Sequence, residues 1–382
     1  MKDRIVLAYS GGLDASVAIP RLSERLGAEV VAVAVDVGRG GASLDAVRER
    51  ALGCGAVEAE VVDAREEFAS EYCFPAVAAN SLGMDRPLAS ALLGPLIAEH
   101  LAAAATRHGA TAVGHGWAGR GRDRVRFEAG LAALAPDLEI VAPVPETGWT
   151  RDKAVAFAEE RGLPIDAAAE SPCPADRDPR GRAAEHGPRE DRWNGSFEDL
   201  FSRTGNPAED LDPDEVAVTF DGGRPVALDG ETKTPRELVD DLDRRAGAQG
   251  VGRTGAASDR PAGLQGREAG ESPAGIALTT AHMALESVTL EREQARFKRT
   301  VDRRWSEAVY DGLWFSPLKN SLEAFIDETQ GRVTGEVRLT LHRGRIAVTG
   351  RRSEEDLYDS AFAACGGDHS FDRPDARAFA GR

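Results

Sequence analysis

Two serines, two glycines and an acid crowd into one stretch, Ala8-Tyr9-Ser10-Gly11-Gly12-Leu13-Asp14-Ala15-Ser16. Such a set suits a phosphate. Ser10 and Ser16 supply hydroxyl donors, and Gly11 and Gly12 let backbone N–H groups come close to an anion. Asp14 is an acid among groups that favour anions. It fits a bound divalent cation, or an acid that holds a backbone turn. The flanking residues supply the elements that position these groups. Ile5-Val6-Leu7-Ala8 is short, apolar and β-branched, as a buried parallel strand is. After the turn, Ala15, Ala18, Ile19, Leu22 and Leu26 share one face of a helix. Pro20 falls inside that helix and is expected to kink it.

No lysine follows the glycines, so the stretch is not a Walker A loop, and G-x-G-x-x-G is absent. Gly-Gly alone would fit an ordinary strand-to-helix turn. Ser-Gly-Gly-x-Asp-x-Ser after a first strand resembles the PP-loop of the ATP pyrophosphatases, which cleave ATP between the α- and β-phosphates.

Strand and helix then alternate: a strand over Glu29–Asp36, a helix over Ser43–Leu52 and a strand over Ala56–Val62. This predicts an α/β fold with a doubly wound parallel sheet, ligand lying beyond the strand ends. Val35 and Asp36 end the second strand and would then sit beside the turn, where a base would lie. A long helix over Ser90–Thr106 and a short strand over Thr111–Gly114 lead into His115–Glu128, a glycine-rich loop with four arginines. A run of charge is usually a solvated face. Here it leaves the carboxyl end of a strand in the same sheet, which favours a site role. Glu139–Val144 reads as a strand, and Thr150 caps a helix to about Arg161.

From Ser171 to Asp191 the chain is rich in Pro, Asp, Arg and Gly, and is expected to be a long loop or partly disordered lid. A second α+β domain follows. It has a hairpin over Val216–Leu228, a helix over Pro235–Arg245, a small-residue stretch over Gly247–Gly275 and a helical run over Thr279–Tyr310. A second hairpin over Val333–Gly350 and a short helix near Glu354–Ala364 complete it. The expected division is an ATP-binding domain over 1–168, a synthetase-type domain over 169–365 with a lid at 171–191, and a polar tail over 366–382.

The 382 residues carry a net charge of −17, which argues against a nucleic-acid or membrane-surface binder. No apolar run is long enough to span a bilayer, and the chain enters a strand at once, so a cytoplasmic location is expected. Cys54, Cys73, Cys173 and Cys365 have neither metal nor disulfide spacing. His115 reads as a residue that packs the strand end, and Cys173 as an incidental thiol.

Ala8–Ser16, Pro87–Pro95, His115–Glu128, Gly252-Arg253, Ser272–Gly275 and Trp314–Pro317 together resemble the argininosuccinate synthase family over nearly the whole length. That family joins citrulline to aspartate. The ureido oxygen attacks the α-phosphorus of ATP, pyrophosphate leaves, and the aspartate amine displaces AMP. The resemblance implies ATP, with Mg2+, held by Ala8, Tyr9, Ser10, Gly11, Gly12, Leu13, Asp14, Ala15 and Ser16, and also by Val35 and Gly116. It implies catalytic roles for Asp14, Asp123 and Arg126, and substrate contacts from Arg86, Ala118, Arg122, Asp123 and Arg126; it assigns no metal ligand.

Ala15 stands where the family has threonine. The acceptor positions depart further. Arg86 and Gly270 replace tyrosines, and Ala91, Pro174 and Ala183 replace serines. Ser258 replaces a glutamate, Ala118 a threonine and Arg122 an asparagine. A polar ligand group that loses its partner costs about 1–3 kcal/mol. The expected ligand is therefore a small amino-acid-like molecule, more acidic than citrulline or differently shaped. A homo-oligomer, a tetramer in the family, is expected, although Asp368–Arg382 lacks the amphipathic pattern of the family's C-terminal arm.

Three readings stand at this point: an AMP-forming C–N ligase of altered substrate, an ordinary argininosuccinate synthase, and a nucleotide-binding homologue without catalysis. A sulfur-transferring or tRNA-modifying PP-loop enzyme would need a reactive cysteine or a basic face, and neither is evident.

Overall fold

The computed structural model describes residues 3–38, 43–81, 88–116, 122–142, 150–165, 175–178, 181–185, 201, 203–209, 211–259 and 265–357. The first sheet is parallel, in the order β3-β2-β1-β4-β5. Its strands are β1 (Arg4–Ala8), β2 (Glu29–Asp36), β3 (Glu58–Asp63), β4 (Ala112–His115) and β5 (Glu139–Val141). Alternation along β1 and β2 fills both faces. Ile5, Leu7, Val30 and Ala32 pack under α1 (Leu13–Leu26) and α2 (Leu44–Gly53). Val6, Val31 and Val33 pack under α5 (Ala89–His108) and α6 (Arg122–Leu134). The sheet is therefore doubly wound, as the β-branched runs predict. Pro20 is accommodated inside α1. Thr150 caps α7 (Arg151–Glu160) through the Lys153 N–H.

Residues 65–78 are helical, in three consecutive pieces: α3 (Arg65–Glu67), a π-helical turn over Phe68–Cys73, and α4 (Phe74–Ala78). Phe68 and Tyr72 of this segment pack with Trp305 and Trp314 in a helical layer.

The second half is built on antiparallel sheets. β8 (Asp214–Asp221), β9 (Arg224–Leu228), β10 (Glu231–Thr232), β13 (Gly335–His342) and β14 (Arg345–Arg352) form one, in the order β10-β9-β8-β13-β14. Its inner face meets α8 (Pro235–Ala248) and α9 (Pro273–Thr289) through Val216, Val218, Leu238, Leu242, Ala277 and Leu285.

Three expectations are corrected here, and one stretch that had no assignment gains strands. The stretch 171–191 is not merely a loop. It contains β6 (Ala175–Asp178) and β7 (Gly181–Glu185), which pair antiparallel, and β7 continues onto β12. The small-residue stretch 247–275 contains β11 (Arg253–Asp259) and β12 (Gln265–Glu271), an antiparallel pair. The helical run over 279–310 is two helices, because Glu291 accepts from the Glu293 and Gln294 N–H groups and starts α10 (Arg292–Tyr310) anew. The short helix near 354–364 does not form over 354–357, and its remainder lies outside the described residues. Helix α11 (Pro317–Gln330) completes the layer around Trp314.

Where the halves meet lies a buried polar cluster. Lys298 is 1% exposed, and its Nζ donates to the Asp302 carboxylate at 2.8 Å and the Ala78 carbonyl at 2.6 Å. It also pairs with Glu286 at 2.9 Å. Asn80 donates to Glu286 and Asp302 and meets His282 at 2.8 Å. Gln330 meets the other side of His282 and donates to Glu286. Among the described residues, no helix is long and apolar enough to cross a membrane. Cys54 and Cys73 are buried, whereas Cys173 and Cys365 lie outside the described residues.

Candidate functional site

β1 ends at Ala8, which faces Val33 of β2 on one side and His115 of β4 on the other. The helices that follow β1 and β4, α1 and α6, pack on opposite faces of the sheet. The crevice between these two strand ends is where a doubly wound sheet takes its ligand, and the glycine turn lies at its edge.

The turn sorts its side chains. Ser10 and Asp14 are exposed, whereas Tyr9, Leu13, Ala15 and Ser16 are buried. The Ser16 hydroxyl meets the Tyr9 hydroxyl at 2.9 Å, so it faces the core instead of the mouth. Burial pushes the neighbouring Cys54 thiol up, with Ser16 and Arg50 acting in the opposite sense. Gly11 has φ +79°, a left-handed conformation that favours glycine. Gly12 caps α1 in extended conformation, and helical pairing starts with the Ser16 N–H on the Gly12 carbonyl at 2.9 Å. A helix start capped by glycine suits an anion, because no side chain occupies the approach.

Gly116 follows β4 and closes on the turn. A Cβ there would lie 2.9 Å from both Cα and N of Ala15 and 3.2 Å from the Asp14 carbonyl carbon. His115 is fully buried and bonds Glu128 at 3.0 Å. Burial pushes its imidazole below the usual range, against the pull of Glu128. It is therefore a neutral packing residue at neutral pH.

On the other side, Val35 is half-buried near the end of β2. Asp36 accepts the Gly38 N–H at 2.8 Å and pairs with Arg65 at 3.5 Å, which shapes the turn after β2. Asp36 was expected beside the turn from its place at the end of the strand, whereas Arg50 was not expected from residue type or spacing.

The arginine stretch after β4 is in part helix. Over 122–134 it forms α6, which corrects the expected loop there, and residues 117–121 lie outside the described residues. Arg124 pairs with Glu128 at 2.8 Å one turn on. Arg126 is 5% exposed. Its Nε donates to the Tyr310 carbonyl at 2.7 Å, and its Nη1 donates to Asp123 at 2.8 Å and Ser90 at 3.2 Å. The guanidinium also lies over the Tyr310 ring, 4.6 Å from its centre. Nη2 is buried and has no hydrogen-bond partner among the described residues. Arg126 thus ties α6 to α5 and α10 and keeps one donor in reserve. Arg122 begins α6, but its side chain, Arg86 and Ala118 lie outside the described residues.

Residues 4–164 match the arginosuccinate synthase N-terminal HUP domain, and residues 174–381 match the arginosuccinate synthase C-terminal domain. The chain belongs to the argininosuccinate synthase family. Both of that family's domains are present in the order in which the parallel and antiparallel sheets follow one another. A crystal structure of NAD+ synthetase from Burkholderia pseudomallei is 24% identical to this chain, with a TM-score of 0.30. The match covers 45% of this chain and 64% of the synthetase. At that level it bears on neither fold nor chemistry.

A family member that keeps Arg126 in so enclosed a place should depend on its fork. Arg126→Lys cannot serve Tyr310, Asp123 and Ser90 together. Urea unfolding should show a loss of about 1.5–3 kcal/mol, the range for hydrogen bonds to a charged group. A loss within error of zero would show that these bonds contribute little.

Proposed function

We propose that this protein is an AMP-forming, ATP-dependent C–N ligase whose acceptor is not citrulline. The observation that carries the reading is the glycine turn at the crevice between β1 and β4. It exposes Ser10 and Asp14, buries its apolar side chains, and is pressed by Gly116 from the neighbouring strand. ATP supplies an activated phosphorus. A ureido or carbonyl oxygen attacks the α-phosphorus, pyrophosphate departs, and an amine then displaces AMP. The turn and the start of α1 hold phosphate charge, which is the main task in such chemistry. Mg2+ enters with ATP, kept mostly by phosphate oxygens and water. Asp14 is the exposed carboxylate in the turn that suits it.

Support for a different acceptor comes from residue types. Ala183 of β7 and Gly270 of β12 stand directly opposite each other in the ladder, where the family carries a serine and a tyrosine. Ala91, on α5, is buried and offers no side-chain hydrogen bond in place of a serine. β7 lies against α5, so these departures share one region. In the sequence, Arg86 and Arg122 add positive charge where the family has a tyrosine and an asparagine. The second reading, an ordinary argininosuccinate synthase, is favoured by the Arg126–Asp123 pair, retained at 2.8 Å.

Pyrophosphate release with ATP separates the two. Citrulline plus aspartate should react at least about 100-fold more slowly than the best member of a panel of acidic ureido and carboxylate compounds, given two or more lost polar contacts. Rapid release with citrulline and aspartate alone would establish the second reading.

A further inference from the structure

We infer that Arg50, which lies outside the family motifs, is a positioning residue for the phosphate-binding turn. The inference rests on the reading of that turn given under Proposed function. Arg50 projects from α2, and its Nη1 donates to the Gly11 carbonyl at 2.6 Å. Val47, one turn earlier on the same helix, backs Gly11: its methyl carbons lie 3.5 and 3.6 Å from where a Gly11 Cβ would be. The inner face of α2 is thus the wall behind the turn.

The bond matters because of what a peptide plane does. In a trans peptide the C=O and the following N–H point in opposite directions. Anchoring the Gly11 carbonyl on Arg50 therefore turns the Gly12 N–H the other way. That N–H donates weakly to the exposed Ser10 hydroxyl at 3.4 Å, and Asp14, two residues on, is exposed as well. Two successive glycines, one at φ +79°, would otherwise let this peptide rotate with little steric resistance. A guanidinium is well suited to the task, since it is always charged and brings positive potential to the back of a site for phosphate. Its effect on the ligand passes through the Gly11–Gly12 peptide.

The test is binding of two probes, ATP with Mg2+ and adenosine, by calorimetry to the full chain and to Arg50→Met and Arg50→Gln. Arg50→Met should bind ATP about 10-fold or more weakly while adenosine affinity stays unchanged. Arg50→Gln keeps a donor without the charge and should fall between. Amide exchange at Gly12 should quicken in Arg50→Met, which a merely supportive role in α2 would not produce. ATP binding by both variants at wild-type strength would overturn the inference. So would equal losses for ATP and adenosine, which would mark a general structural role. If Arg50→Met does not fold, Arg50→Gln decides by the same comparison. A wild-type chain that binds no ATP would overturn the reading of the turn itself, and this inference with it.

Discussion

Gly116→Ala should lower ATP turnover about 100-fold, the size of effect expected when reacting groups are displaced by about 1 Å. The added methyl group would lie 2.9 Å from backbone atoms of Ala15, which are in the first turn of α1 and cannot swing aside as a side-chain tip can. Either β4 retreats and takes Gly116 away from the turn, or the first turn of α1 moves and takes Asp14 with it, and both change the spacing between the strand end and Asp14. Overpacking of this kind also costs about 1–3 kcal/mol of stability. The two effects are separable, because urea unfolding reads the second alone. Turnover within about twofold of wild type would mean that the approach of β4 to the turn does not set the site's geometry.

Lys298→Met should lower the unfolding free energy by about 3–5 kcal/mol at pH 7, as when one partner of a buried ion pair is removed. Glu286 and Asp302 would then share an enclosed site with no cation. The pH dependence follows from the direction of the Asp302 shift. Burial raises its carboxyl from 3.8 to about 6, against the pull of Lys298. Between about pH 4 and 6 the folded state therefore holds more protons than the unfolded chain, and this group's contribution to stability falls as pH rises. Without Lys298 the carboxyl should hold its proton to higher pH still. The deficit of the variant should thus be largest at pH 7 and smaller at pH 5, where Asp302 is mostly neutral. Equal deficits at both pH values would show that the cluster's charge is not what makes Lys298 necessary.

Much of the first sheet was legible because a buried parallel strand must be apolar on both faces. Ile5–Ala8 and the run from Val30 to Val35 satisfy that with β-branched residues. The helix after Thr150 was legible from its cap. The strands at 175–185 and 253–271 were not. Their residues are polar or small, and they become strands through pairing with one another, which local propensity does not register. Helix α11 and residues 65–78 also went unassigned. The break at Leu290–Glu291 could have been found, since an acid followed by orphan helix N–H groups is a start signal.

The site shows the same division. The turn was read correctly as a turn, but sequence could not tell that Ser16 faces Tyr9 while Ser10 faces outward. The arginines at 124 and 126 resembled a basic loop. Their acidic partners at i+4 and i−3 were the available sign that they belong to a helix. Arg50 gave no such sign, because an arginine on an amphipathic helix usually faces solvent.

The central claim is that the turn from Ser10 to Asp14 grips the phosphates of ATP. A crystal structure with an ATP analogue whose α,β-bridge resists cleavage tests it most directly. The phosphates should lie against Gly11, Gly12 and the start of α1, with the base near Val35. An analogue bound elsewhere, with this turn untouched, would contradict the account.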